Sequence, residues 1–158
     1  MPSTQLLAAI GLALVSAARS WTAPIALQGG SACTLLTTAQ VTTALGTTVE
    51  TGKPIVESNP RTCGWAPPGG PKIDGKKLTV SVITGRAFDL GKTPMEGIEK
   101  LPVTGVGDDA LFITAGGLGT SLNVKKGAAG FTVRVGGFKK DQEMQIEKSL
   151  ALEILKKM

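Results

Sequence analysis

From Ser121 to Val135 the chain alternates between apolar and polar side chains. Leu122, Val124, Phe131, Val133 and Val135 fall on one side, and Ser121, Asn123, Thr132 and Arg134 on the other. Between the two runs lies Lys126-Gly127-Ala128-Ala129. Successive residues of an extended chain point to opposite faces, so this period of two makes a hairpin with one apolar and one polar face. Parallel sheets are covered on both faces and lack such alternation. The hairpin therefore restricts the chain to an antiparallel sheet with its main cover on one side.

Other segments fit the same sheet. Leu78-Thr79-Val80-Ser81-Val82 alternates in the same way, and Ala110 to Thr114 and Arg61 to Ala66 read as further strands. Thr47 to Glu57 is rich in Thr and Val but contains Gly52 and Pro54, which marks a broken edge strand. Pro67-Pro68-Gly69-Gly70-Pro71 cannot continue a strand and must be a loop. A less regular connection follows Val82, with a helical turn expected around Met95 to Lys100.

Two helices are written at the ends of this pattern. Thr37, with Gln40 three residues on, forms a capping box, Leu36 and Val41 form the hydrophobic staple, and Gly46 stops the helix. Val41, Ala44 and Leu45 are its inward stripe. The tail, with Asp141 as cap, has an apolar stripe of Ile146, Leu150, Ala151, Ile154, Leu155 and Met158. Glu143, Glu147, Lys156 and Lys157 are placed to suit its dipole. The expected architecture is α+β: about six antiparallel strands, with an N-terminal and a C-terminal helix packed on one face, in a single domain over residues 32–158.

The residues before that domain read as a secretory signal over 1–23 and a flexible lead-in over 24–31. Leu6 to Ala18 is an uncharged apolar run, too short for a bilayer span but suited to a signal core. Ser16-Ala17-Ala18 offers a cleavage site, with Ala23 as a second. MPSTQ carries no Lys or Arg, so either the signal is weak or the start lies upstream. No transmembrane segment is expected in the mature chain. In an exported protein a lone cysteine pair forms a disulfide, so Cys33 and Cys63 are expected to be joined. A metal or redox role would require Cys-x-x-Cys spacing or histidine partners, and the chain has neither.

Composition then excludes whole classes of chemistry. With no histidine, a His-based nucleophilic triad is impossible and a zinc site nearly so. With no tyrosine and 4% aromatic residues, the core must be aliphatic. The net charge of +5 is mild, and its lysines fall in dyads at expected strand edges, hairpin tips and helix ends. Such charges solubilise edges, and without interleaved aromatics they do not suit nucleic acid.

Gly105 to Phe112, GVGDDALF, contains the G-x-G-x-x-A spacing of a dinucleotide loop. That motif needs a helix immediately after its glycines, and Ala110 to Thr114 is strand-like instead. The segment is expected to be a glycine turn feeding a strand. Asp108 and Asp109 lack the ligand run of a calcium loop and are assigned to that turn. No cofactor or metal is expected. Ser58, Ser81 or Ser121 with a lysine base would be the only available nucleophile system, and no S-x-x-K supports it.

Three stretches together carry a resemblance: CTLLTTAQVTTALG from Cys33, CGW from Cys63, and PVTGVGDDALF from Pro102. With the closing Lys/Leu helix, the chain from about Ala32 to Met158 resembles a broad group of exported bacterial proteins and lipoproteins of unknown function, familiar as actinobacterial cell-surface lipoproteins. The resemblance implies a secreted α+β domain and no catalytic residues. The chain departs from the lipoprotein members in lacking a lipid-attachment cysteine beside the signal.

The expected function is that of an exported, disulfide-stapled, non-enzymatic domain binding a protein or glycan in the cell envelope. Its expected ligand face is the polar side of the hairpin: Ser121, Asn123, Thr132 and Arg134. One alternative is a hydrolase working with carboxylates alone, with Asp108, Asp109 and Glu96 the residues to examine. Another is a small secreted inhibitor presenting the Pro67–Pro71 loop.

Overall fold

A computed structural model describes residues 30–70 and 75–158. The expected signal segment, most of the lead-in and Pro71 lie outside the described residues. Seven strands form one sheet: β1 (Lys53–Val56), β2 (Asn59–Trp65), β3 (Lys77–Thr84), β4 (Ile98–Pro102), β5 (Asp109–Ala115), β6 (Thr120–Lys126) and β7 (Ala129–Gly136). Their spatial order is β1-β2-β3-β7-β6-β5-β4, and every neighbouring pair is antiparallel. Among the described residues three α-helices accompany the sheet: α1 (Thr38–Leu45), α2 (Gly85–Gly91) and α3 (Lys140–Leu155).

The central pairing is the one read from the alternation. Leu122 opposes Val133 and Val124 opposes Phe131 between β6 and β7. Val133 and Val135 oppose Val80 and Leu78 across β7 and β3. All seven side chains, with Cys63 and Trp65 of β2, are buried in one apolar cluster. α3 lies over β6 and β7, and α1 packs beside α3. Val41 and Leu45 of α1, and Leu150, Ala151 and Ile154 of α3, complete that cluster.

The capping box is present. The Thr37 hydroxyl accepts the Gln40 N–H at 3.2 Å, and the Gln40 side-chain oxygen accepts the Thr37 N–H at 2.9 Å. Gly46 closes α1 with φ 59°, and the Lys76 ammonium donates to the Leu45 carbonyl at 3.0 Å. Cys33 and Cys63 are disulfide-bonded, which ties a short 3-10 turn at Ala32–Thr34 to β2.

The expected architecture is corrected in three places. The sheet has seven strands, not about six, because Ile98 to Pro102 is β4, paired with β5, where a helical turn was expected around Met95 to Lys100. A single tight turn forms at Met95, with the Ile98 N–H donating to the Met95 carbonyl at 3.2 Å and Gly97 at φ 73°, and from Ile98 the segment gains a full ladder against β5. The helices are not confined to the two ends of the chain or to one face. α2 begins where β3 ends, with the Thr84 hydroxyl accepting the Ala87 N–H at 3.1 Å, an unrecognised N-cap. It lies on the face opposite α3: its Asp89 carboxylate accepts from Lys125 Nζ at 2.7 Å, and Gly91 sits against Asn123. Both of those β6 residues point away from the core. Finally, α3 begins at Lys140 with Lys139 as N-cap, not at Asp141. Asp141 falls within the first turn, where its charge complements the dipole.

Candidate functional site

The glycine turn can be settled from its surroundings. Gly105 and Gly107 have φ of 76° and 62°, and a Cβ on Gly107 would come within 2.5 Å of the Lys125 carbonyl oxygen. The Asp108 N–H donates to that carbonyl at 2.9 Å, so the turn is pinned against the β6–β7 hairpin. β5 follows at once, so the glycines lead into a strand and not into a helix N-terminus. Asp108 accepts from Lys126 Nζ at 2.9 Å and from the Gly127 N–H at 2.7 Å. Those bonds, the backbone one foremost, hold its pKa below the usual carboxylate value. Asp109 pairs with Lys92 at 2.6 Å, and Glu96 is exposed. The three carboxylates examined for a hydrolase are not gathered into a catalytic pair: Asp108 and Asp109 are each held by a different lysine, Glu96 is exposed, and none of the three lines the cleft described below.

The polar hairpin face is divided by α2. Ser121, Asn123 and Thr132 are half-buried, and Arg134 alone of the four is exposed. Asn123 lies at the α2 end, and its side-chain oxygen is buried without a hydrogen-bond partner. Phe88 of α2 is 1% exposed and outside the main core cluster, which fits its place on this second face. Leu111, in register with Asn123, is buried on the same side. The open part of the face begins at Arg134.

There the sheet end forms a cleft of about 950 Å³. One wall is Thr79 and Arg134, which are paired across β3 and β7. A second is the loop after β5, whose Leu118 carbonyl accepts from the Arg134 guanidinium. The third is the start of α3, with Lys139, Lys140 and Glu143. Lys77, Arg134, Lys139 and Lys140 thus border the cleft against one carboxylate, and the positive end of α3 adds to their field. Lys140 also pairs with Glu99 at 2.9 Å. The Thr114 hydroxyl, in the cleft wall, is buried without a partner.

Behind this wall α3 turns two carboxylates inward. The sequence pattern assigns Glu143 and Glu147 to the helix dipole, yet they are buried, extending the stripe of Leu150, Ala151 and Ile154 toward the N-terminus. Glu147 is 0% exposed. Its two oxygens accept from the Val135 N–H at 3.0 Å and the Thr120 hydroxyl at 3.1 Å. Burial pushes its pKa up to about 7, against the lowering effect of those two hydrogen bonds; the neighbouring Glu143 raises it further and Arg134 lowers it. Glu143 accepts from the Phe138 N–H at 3.4 Å. Glu147 therefore bolts α3 to β6 and β7, and Glu143 reaches the cleft beside it.

Of the expected ligand residues, only Arg134 joins this cleft. Lys77, Lys139, Lys140, Glu143 and Glu147 were missed. The signal for the last two was legible, since positions 143, 147, 150, 151 and 154 share one helix face. Compared with family models, curated proteins and solved structures, the chain matches none.

Proposed function

We propose that the chain is an exported, disulfide-stapled, non-enzymatic domain that binds an anionic component of the cell envelope in the sheet-end cleft. The observation that carries this reading is the cleft itself: a concavity within the usual size of ligand sites, bordered by four cations and one carboxylate. Fixed cations at the mouth of a low-dielectric hollow attract and orient carboxylate, phosphate or sulfate groups. A glycan fits the mixture of charged, hydroxyl and backbone groups better than an apolar protein surface would. Export is supported by the Cys33–Cys63 bond, which is at home in an oxidising compartment. No helix among the described residues is long and apolar enough to cross a membrane. The resemblance to exported bacterial proteins and lipoproteins points the same way.

The buried pair Glu143 and Glu147 favours the hydrolase alternative more than the exposed aspartates do. Glu147, however, is closed off from the cleft and committed to two backbone and side-chain donors. It serves the cleft by holding its wall.

Calorimetric titration with a carboxylate-bearing envelope polysaccharide tests the proposal. Arg134→Ala should weaken binding at least tenfold with the far-ultraviolet spectrum unchanged, and added salt should weaken the parent in the same direction. Equal affinity of parent and variant at low salt would remove the cleft as the site.

A further inference from the structure

A second hollow, of about 390 Å³, opens on the same face of the sheet and shares two residues, Lys77 and Thr79, with the first. Its character is different. Ile55, Trp65, Pro67 and Leu78 line it, and the charged pair on its rim, Glu50 and Lys53, neutralises itself at 2.9 Å. Ile55 is 58% exposed, an unusual position for a large aliphatic side chain, and it lies down over Gly64. A Cβ at residue 64 would stand 3.3 Å from the Ile55 Cγ1, so a side chain there would push Ile55 off the sheet.

The register fixes how the two hollows relate. Gly64 opposes Thr79 across β2 and β3, and Thr79 opposes Arg134 across β3 and β7. Gly64, Thr79 and Arg134 therefore form one row across the sheet. At about 4.8 Å between strands, the aliphatic cover at Gly64 and the guanidinium of Arg134 sit roughly 10 Å apart. A cationic compartment and an apolar one thus meet along a single strand, at the separation of a charged group and the first segment of a chain attached to it.

We infer that the two hollows form one continuous site for a single-chain amphiphile with an anionic head. The head lies among Arg134 and Lys139, and the chain crosses Thr79 to lie against the side of Ile55. Charge complementarity places the head, and Ile55 with the half-buried Pro67 supplies the apolar surface that the chain would remove from water. Small-molecule sites have this combination of an apolar lining and a few convergent polar groups, whereas protein interfaces are flatter. This inference rests on the cleft being the ligand site proposed above, and it adds that the ligand is lipid-bearing.

Three probes, each below its micelle concentration, separate the possibilities by calorimetry: decyl phosphate, methyl phosphate and decyl maltoside. Decyl phosphate is expected to bind at least tenfold more tightly than either of the others. Ile55→Asn, at an exposed position and without a new charge, should erase that advantage and leave methyl phosphate binding unchanged. Arg134→Gln should weaken both phosphates. If methyl phosphate binds as tightly as decyl phosphate, the apolar hollow is no part of the site and the inference falls, while the cleft reading stands. If decyl maltoside matches decyl phosphate, the head is not recognised and the inference falls as well. Binding of none of the three would overturn the inference, and failure of the envelope polysaccharide to bind would then take the cleft reading with it.

Discussion

The two faces of the sheet are built on different terms. The α3 face is closed by aliphatic side chains together with Trp65, Phe112 and Phe131, drawn from five strands, and its members are almost wholly shielded from water. The α2 face is closed over only part of its area, by one short helix resting on Phe88 and fastened at its rim by Asp89–Lys125 and Lys92–Asp109. Exposed ion pairs of this kind contribute little each. The first face determines that the chain folds; the second, left partly open, has room for a ligand.

The sharpest way to break this comparison is to truncate one phenylalanine on each face. Phe131→Ala should cost about 3–5 kcal/mol of global stability in urea unfolding, because β7 is held between β3 and β6 and the cavity cannot collapse. Phe88→Ala should cost clearly less, because α2 can detach while the sheet persists, and amide exchange across Gly85–Gly91 should quicken well before the sheet amides do. Equal global losses would mean that α2 belongs to the cooperative core.

A smaller effect probes the most deeply buried carboxylate on the closed face. Glu147 ionises near 4.5 when unfolded but near 7 in the folded protein. The folded state thus holds its proton more tightly, so this contribution is complete below about pH 4.5 and is lost as the pH rises through about 7. The total loss is about 3 kcal/mol. Glu147→Gln keeps an acceptor for the Val135 N–H and removes the charge, so it should abolish this fall and be the more stable protein at pH 8. A parent whose stability is level from pH 5 to pH 8 would show that Glu147 stays ionised or hydrated. The smallest effect lies at the periphery of the same face: Thr37→Ala removes the hydroxyl that caps α1 and should cost about 1 kcal/mol in the same unfolding assay.

What was legible in the sequence was what depends on short-range rules. Alternation placed Leu122, Val124, Phe131 and Val133, and the Thr37–Gln40 spacing placed the start of α1, because each is decided within a few residues. The turn at Gly105 to Gly107 was legible for the same reason. β4 was not, since Ile98 to Pro102 becomes a strand through pairing with β5, a partner that local sequence does not announce. α2 was missed because Thr84-Gly85-Arg86-Ala87-Phe88 shows no amphipathic repeat and is held by contacts to β6. The cleft is hardest to see: Arg134 and Thr79 meet only through register, and Lys139 only through the direction in which α3 enters. Glu147 was read from its charge, when its helix phase was the better guide.

The outermost strands have one more consequence. β1 and β4 form the two margins of the sheet, and each contains a proline, Pro54 and Pro102, while β1 also slips register between Pro54 and Val56. Proline has no N–H to offer, so a strand approaching from another molecule meets an interrupted row on either side. Among the described residues the sheet ends at these two strands, and the prolines at its margins disfavour its extension, edge to edge, by a second molecule.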